Sequence, residues 1–287
     1  MTAPKVAPLV ASRYAVLGNP VAHSQSPFIH AEFARQTGQL LNYERLLCRV
    51  DGFASALREF ADAGAAGCNV TMPFKFDAFA LCARRSPRAE LAGACNTLRF
   101  DAQGWYGDNT DGAGLQRDIE SNAGVCLRGA RILLIGAGGG AAGALGALVG
   151  SGAAEVVVAN RRVERGEALV GRHGTLAATT GTRLAATGLD DCGDGFDIVV
   201  NASASSVAGA PVPVAAGVLR PGSLAYDMMY GALAQPFLAW AEAAGAAGRD
   251  GLCMLVEQAA DAFELWRGVA PQTAEVLVAL RARLAST

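Results

Sequence analysis

Short apolar runs alternate with polar, glycine- or proline-marked breaks along most of the chain. Tyr14–Gly18 has the length and apolarity of a buried strand, ended by a turn at Asn19-Pro20. Ser26-Pro27 then predicts a serine N-cap with a first-turn proline, opening a helix to about Thr37 that Gly38 stops. Tyr43–Val50 is strand-like, Phe53–Ala63 helix-like, Cys68–Thr71 a short strand, Phe74–Ala83 helical and Asn96–Phe100 a further strand. This alternation predicts an α/β layer unit.

The pattern then restarts. A helix-like run from Gly112 to Asn122 predicts a crossing into a second unit, which opens on the apolar strand Arg131–Ile135. A glycine turn, Gly136-Ala137-Gly138-Gly139-Gly140, follows, with a helix to about Val149 and a second strand at Glu155–Ala159. Phe196–Val200 and Leu224–Asp227 are later strands, and residues 202–222, rich in Ala, Ser, Gly and Pro, are expected to be loop. Strands and helices at this pace predict a doubly wound parallel sheet. From Leu252 on, the chain is helical and has too few strands for a third unit, so it should pack back on the first.

Composition narrows the classes. A chain of 287 residues is long enough for two domains, and 52% hydrophobic against 17% charged residues gives ample core material. A net charge of −2 carries no footprint for nucleic acid or anionic lipid. Seven cysteines stand singly, with no C-x-x-C and only three histidines, which argues against a disulfide framework or a zinc site and for buried thiols in a reducing compartment. The proline-broken start, Met1 to Pro8, does not read as a signal peptide. The longest apolar stretch, Gly139–Gly150, is too short to span a bilayer. A soluble, cytoplasmic protein is expected, monomer or homodimer.

Several polar clusters carry candidate chemistry. The glycine turn follows a strand and opens a helix, where backbone N–H groups and the helix dipole can hold a pyrophosphate. The end of the second strand lacks the acidic residue that reads a ribose 2′-hydroxyl and has Asn160-Arg161-Arg162 instead, with Arg165 one turn on. Arginines there suit a 2′-phosphate, hence NADP. Ser24 and Ser26, at a helix N-terminus, can hold a carboxylate. Lys75 is misplaced at a helix start unless an anion faces it, and Asp111 in Gly107-Asp-Asn-Thr-Asp-Gly112 is the expected partner. Gln258 falls on the apolar helix face with Leu255, Ala262 and Leu265, so it is either satisfied internally or faces a cleft.

Together these segments resemble the shikimate dehydrogenase family along almost the whole chain. The carrying motifs are Gly18-Asn-Pro-Val-Ala-His-Ser-Gln-Ser-Pro27, Asn69-Val-Thr-Met-Pro-Phe-Lys75, Ala92-Gly-Ala-Cys-Asn-Thr-Leu98, Gly107–Gly112, Asn160-Arg161, Tyr226-Asp-Met-Met-Tyr230 and Asp250–Gln258. The resemblance implies NADP-dependent interconversion of 3-dehydroshikimate and shikimate, on the route to aromatic amino acids. It implies Lys75 and Asp111 as the catalytic pair. It places Ser24 and Ser26 on the substrate carboxylate, and Asn69, Thr71, Asn96, Tyr230 and Gln258 around the ring hydroxyls. Gly136, Ala137, Gly138, Gly139, Gly140, Asn160, Arg161, Arg165, Met228 and Gly251 would contact the cofactor. It also implies a discontinuous substrate domain, 1–112 with 251–287, around a Rossmann NADP-binding domain, 113–250. Asn201-Ala-Ser-Ala-Ser-Ser206 departs from the family's more usual Asn-Ala-Thr-Ser-x-Gly. The alternatives are an NAD-preferring quinate/shikimate dehydrogenase and a non-catalytic binder of related metabolites.

Overall fold

The computed structural model describes residues 11–286, so the reading of the extreme N-terminus lies outside the described residues. The first unit contains β1 (Ser12–Gly18), α1 (Ser26–Thr37), β2 (Leu41–Leu47), α2 (Phe53–Asp62), β3 (Gly67–Val70) and α3 (Lys75–Leu81). It continues through β4 (Arg84–Arg85), α4 (Pro87–Ala92), β5 (Thr97–Arg99) and β6 (Tyr106–Asp108). The crossing helix α5 (Asp111–Arg117) runs into a π turn at Asp118–Asn122. The second unit contains β7 (Arg131–Ile135), α6 (Gly139–Gly150), β8 (Glu155–Ala159), α7 (Val163–Thr180), β9 (Arg183–Thr187), β10 (Phe196–Asn201), β11 (Leu219–Asp227), α8 (Gln235–Ala243) and β12 (Ala247–Asp250). Helices α9 (Leu252–Arg267) and α10 (Thr273–Ala285) close the chain.

Two six-stranded sheets result. The first has the order β2-β1-β3-β5-β6-β4, parallel from β2 to β3 and antiparallel at β5. The second has the order β12-β11-β10-β7-β8-β9 and is parallel throughout. Its chain path reverses between β7 and β10, the switch point where open parallel sheets bind ligands outside their strands' carboxyl ends. Apolar strands Ile132–Ile135 and Val156–Ala159 are buried on both faces, as helices on both sides of a parallel sheet require.

The C-terminal helices do return to the first unit. Phe263, Val256 and Leu252 of α9 pack with Ile29 and Phe33 of α1 and with Val276 of α10. Trp266 stacks on Tyr14 at 4.4 Å and donates its indole N–H to the Leu98 carbonyl at 2.9 Å. An ionic strap joins α9 to α4 and α5. Arg88 pairs with Asp108 and Asp261, and Arg117 with Asp261 and Glu257.

Several details differ from expectation. The N-cap of α1 is Gln25, in helical conformation and without a side-chain cap bond, so Ser26 is a helical residue and not the cap. The strand expected to reach Val50 stops at Leu47, because Gly52 N–H closes a turn onto the Arg49 carbonyl. The segment 202–222 is not loop throughout, since β11 begins at Leu219. Six cysteines are buried free thiols but Cys126 is exposed. No described helix is long and apolar enough to cross a membrane.

Candidate active site

Two helix N-termini meet at the site. Lys75 is the first residue of α3 and Asp111 the first of α5. Lys75 Nζ donates to Asp111 Oδ2 at 2.6 Å, and the two side chains are only 14% and 4% exposed. The carboxylate supplies the anion that the ammonium lacks at its own helix end.

Asn96 is the hub that holds this pair in place. Its Nδ2 lies 2.8 Å from Asp111 Oδ1, 2.9 Å from Thr110 Oγ1 and 2.7 Å from Gln258 Oε1. Its Oδ1 accepts from the Thr110 N–H and the Thr97 hydroxyl, each at 2.9 Å. Asn69 Nδ2 donates to Thr97 Oγ1 at 3.0 Å, while Asn69 Oδ1 accepts from the Tyr43 hydroxyl at 2.7 Å. Burial pushes the Tyr43 phenol well above its ordinary range, so it stays a donor. His30, stacked on Tyr43 at 4.3 Å, is held down to about 3 by burial and is neutral. Side chains from β2, β3, β5, α5 and α9 thus form one connected network. Gln258 answers the question its sequence position raised, since its Oε1 is bonded into that network.

Ser24 Oγ lies 3.2 Å from Ser26 Oγ and accepts the Ser26 N–H at 3.3 Å. Arg45 braces this turn, donating Nε and Nη2 to the Ser24 carbonyl at 2.8 and 2.6 Å. Sequence reasoning missed Arg45, which nothing local distinguishes from a surface arginine on a strand. Thr71 leaves β3 with its N–H on the Leu17 carbonyl at 2.9 Å. Tyr230 reaches from the second unit onto the α1/α9 cluster, and burial raises its phenol pKa.

The glycine turn abuts this network. Gly136 has φ +109°, a conformation that L side chains rarely adopt. A Cβ on Gly139 would stand 2.9 Å from Lys75 Cβ, and one on Gly143 would stand 2.7 Å from Asp111 Oδ2. Helix α6 therefore approaches the ion pair only because these positions carry no side chain. Ala137 and Gly138 lead into that helix, with Gly138 as its N-cap. Met228 Cε lies 3.4 Å from where a Gly140 Cβ would be. Gly251 packs on the same segment, donating its N–H to the Met229 carbonyl at 2.9 Å.

Asn160, Arg161 and Arg165 lie apart from this contact, past the end of β8. Asn160 Nδ2 donates to the Arg162 carbonyl at 2.7 Å. Arg161 and Arg165 are exposed at the start of α7, and among the described residues neither side chain has a hydrogen bond or ion pair. Two unpaired cations therefore stand at a helix N-terminus on the side of the crevice past β8, where cations sit poorly without an anion.

Similarity to known proteins agrees with this geometry. Residues 16–98 match the shikimate dehydrogenase substrate binding domain, 118–209 the shikimate/quinate 5-dehydrogenase family and 251–281 the shikimate 5′-dehydrogenase C-terminal domain. The NADP(+) shikimate dehydrogenase of Methylibium petroleiphilum is 62% identical, with 94% of each chain covered. That of Acidovorax sp. is 57% identical, covering 96% of this chain and 98% of its own. Among solved structures, an Ael1 enzyme of Pseudomonas putida superposes with a TM-score of 0.84 at 43% identity, covering 94% of this chain and 98% of its own. The Thermus thermophilus shikimate 5-dehydrogenase complexed with NADP(H) and shikimate gives 0.81 at 32% identity, covering 94% and 99%. With three matching segments in order and near-complete coverage by close relatives, the chain belongs to the shikimate dehydrogenase family.

Proposed function

We propose that this protein catalyses the NADP-dependent, reversible reduction of 3-dehydroshikimate to shikimate in aromatic amino acid biosynthesis. The carrying observation is the shielded Lys75–Asp111 pair at 2.6 Å, set against the first turn of α6. Residues 1–112 and 251–287 form the substrate domain in this reading, and 113–250 the NADP domain. The nominal border at 112 falls within α5, which packs on both α6 and α9.

The cofactor-side residues fit NADP. A Cβ at Gly136 would crowd the Ala202 carbonyl at 3.1 Å, whereas Gly138 has open space around it, so the turn is a close-approach cradle for a pyrophosphate. Arg161 and Arg165 supply unpaired donors for a 2′-phosphate, and Asn160 shapes their turn. When bound, the nicotinamide supplies or accepts the hydride.

The chain's own groups do the rest. Ser24 and Ser26 hold the substrate carboxylate at the N-terminus of α1. Asn69, Thr71, Asn96, Tyr230 and Gln258 fix the ring hydroxyls and so orient the reacting carbon. As negative charge develops on the ketone oxygen, the Lys75 ammonium stabilises it and gives up a proton from Nζ. In the reverse direction Nζ recovers that proton from the hydroxyl. Asp111 aims Nζ and accepts from a ring hydroxyl. The test is shikimate-dependent formation of NADPH by the purified protein, compared with quinate and with NAD. Absence of turnover with shikimate and NADP refutes the assignment.

A further inference from the structure

Strands β10 and β11 end on register partners, Asn201 and Asp227. Each strand runs on into a segment at the rim of the crevice. Residues 202–206 follow β10, and Met228-Met229-Tyr230 follow β11. Asp227 is fully buried and ties these segments together. Its Oδ2 accepts the Ser206 hydroxyl at 2.7 Å, and its Oδ1 accepts the Met229 N–H at 2.9 Å. Asn201 completes the tie. Its carbonyl accepts the Met228 N–H at 3.0 Å, its Nδ2 donates to Ser206 Oγ at 3.2 Å and its Oδ1 accepts the Ser203 hydroxyl at 2.7 Å.

This carboxylate is costly to keep. Among the described residues no cation pairs with it, and the charged group that faces it is Asp250, its register partner on β12. A buried carboxylate without a cation is held only by its hydrogen bonds, and an apolar or amide residue would serve the core better. Burial lifts its pKa to about 6, so it is ionised at neutral pH and accepts both bonds. The tie lies on the β10–β11 side of the switch point, opposite the β8 side that carries Arg161, and Met228 faces the first turn of α6. A dinucleotide with its 2′-phosphate at Arg161 would bring its other end to this rim.

We infer that Asp227 is a positioning residue for the nicotinamide end of the cofactor, setting the spacing of the 202–206 and 228–230 segments through Ser206 and Met229. The inference rests on the NADP reading above. It is tested by titrating NADPH and NADH into Asp227→Asn, Ser206→Ala and Ser206→Thr, following the enhancement of nicotinamide fluorescence, with melting curves alongside. Asp227→Asn is expected to weaken NADPH binding about tenfold and to reduce the enhancement at saturation, because the amide restores only one of the two acceptor bonds. NADH should weaken by the same factor, since the ring end is common to both. Ser206→Ala should act in the same direction by about threefold, and Ser206→Thr, which keeps the hydroxyl, should restore wild-type binding. The melting temperature of Asp227→Asn should not fall, because the amide relieves a buried charge, whereas a merely structural role would lower it and leave the fluorescence of the bound ring unchanged. Should Asp227→Asn fail to fold, the Ser206 pair decides the matter. Wild-type affinity and fluorescence in Ser206→Ala would overturn the inference. Normal NADPH binding by a wild type that does not turn over shikimate would overturn the proposed activity and leave this inference standing.

Discussion

The two ends of the crevice are built in opposite ways. At the substrate end the polar side chains around the ion pair already have protein partners. Lys75 is on Asp111, Asp111 on Asn96, Asn96 on Gln258, and Asn69 on Tyr43. At the end proposed to hold the 2′-phosphate, Arg161 and Arg165 are exposed and unpaired among the described residues. The first end is preorganised, so its groups stand in place before a ligand arrives and lose little entropy on binding. The second end gains its contacts only from the ligand. In the proposed reading it sets which cofactor binds while contributing little to stability.

That contrast breaks most sharply at Lys75. Lys75→Ala should lower kcat by about two to four orders of magnitude, typical of a lost general acid, with a smaller change in shikimate affinity. Steady-state kinetics on the folded variant check it, and a near-normal kcat removes Lys75 from the chemistry.

Ser24→Ala should raise the KM for shikimate by about one to two orders of magnitude, since one hydrogen bond to a charged group is worth about 1.5–3 kcal/mol. Its melting temperature without ligand should hold. Ser26→Ala should raise KM similarly. Because Gln25 and not Ser26 occupies the N-cap, Ser26→Ala loses no cap bond, only its contact with Ser24 Oγ at 3.2 Å, and its melting temperature should fall by about one or two degrees at most. Melting curves on both variants decide whether the serines are directed purely at the ligand.

At the other end, Arg161→Ala with Arg165→Ala should raise the KM for NADP by about tenfold or more and shift that for NAD by about twofold at most. Equal weakening of both cofactors would assign the arginines a structural role.

Much of this organisation was readable in the sequence, and the exceptions have physical causes. The strand–glycine–helix unit at Arg131–Gly150 and the misplaced cation at Lys75 are local signals, and the first has a local structure too, whereas the partner of Lys75 lies 36 residues on. Asn96 as hub is not local, because its partners lie 15 and 162 residues away at Asp111 and Gln258. Strands β9 and β12 are half-exposed edge strands, so neither carries the apolar alternation that marks a strand. Helix α4 was missed although its signals were local. Ser86 caps it by accepting the Ala89 N–H, Pro87 opens it and Gly93 ends it in left-handed conformation. That is the signature that marked α1, where the serine proved not to be the cap.

The smallest expected effect is on stability against pH, where buried carboxylates pull in opposite directions. Burial alone would raise Asp118, but Arg249 and Tyr226 outweigh it and hold it below the usual carboxylate range. Asp108, paired with Arg88, behaves alike. Their stabilisation is present above the unfolded-state pKa of about 3.9 and is lost as pH falls through the lower folded values. Asp227 has the reverse sign. Its folded pKa of about 6 lies above the unfolded one, so its ionisation costs stability above pH 6, and that cost is relieved as pH falls toward about 4. Melting temperature should therefore rise slightly from neutral pH to about 5 and fall below about 4, and Asp227→Asn should flatten the upper limb.

The central claim is tested most directly by steady-state oxidation of shikimate by the purified wild-type protein, with NADP or NAD as acceptor and quinate as the competing alcohol. Saturable NADPH formation from shikimate is expected, with kcat/KM for quinate or for NAD lower by about tenfold or more, a margin of about 1.4 kcal/mol. A protein that forms no NADPH from shikimate, or that prefers quinate with NAD, contradicts the account.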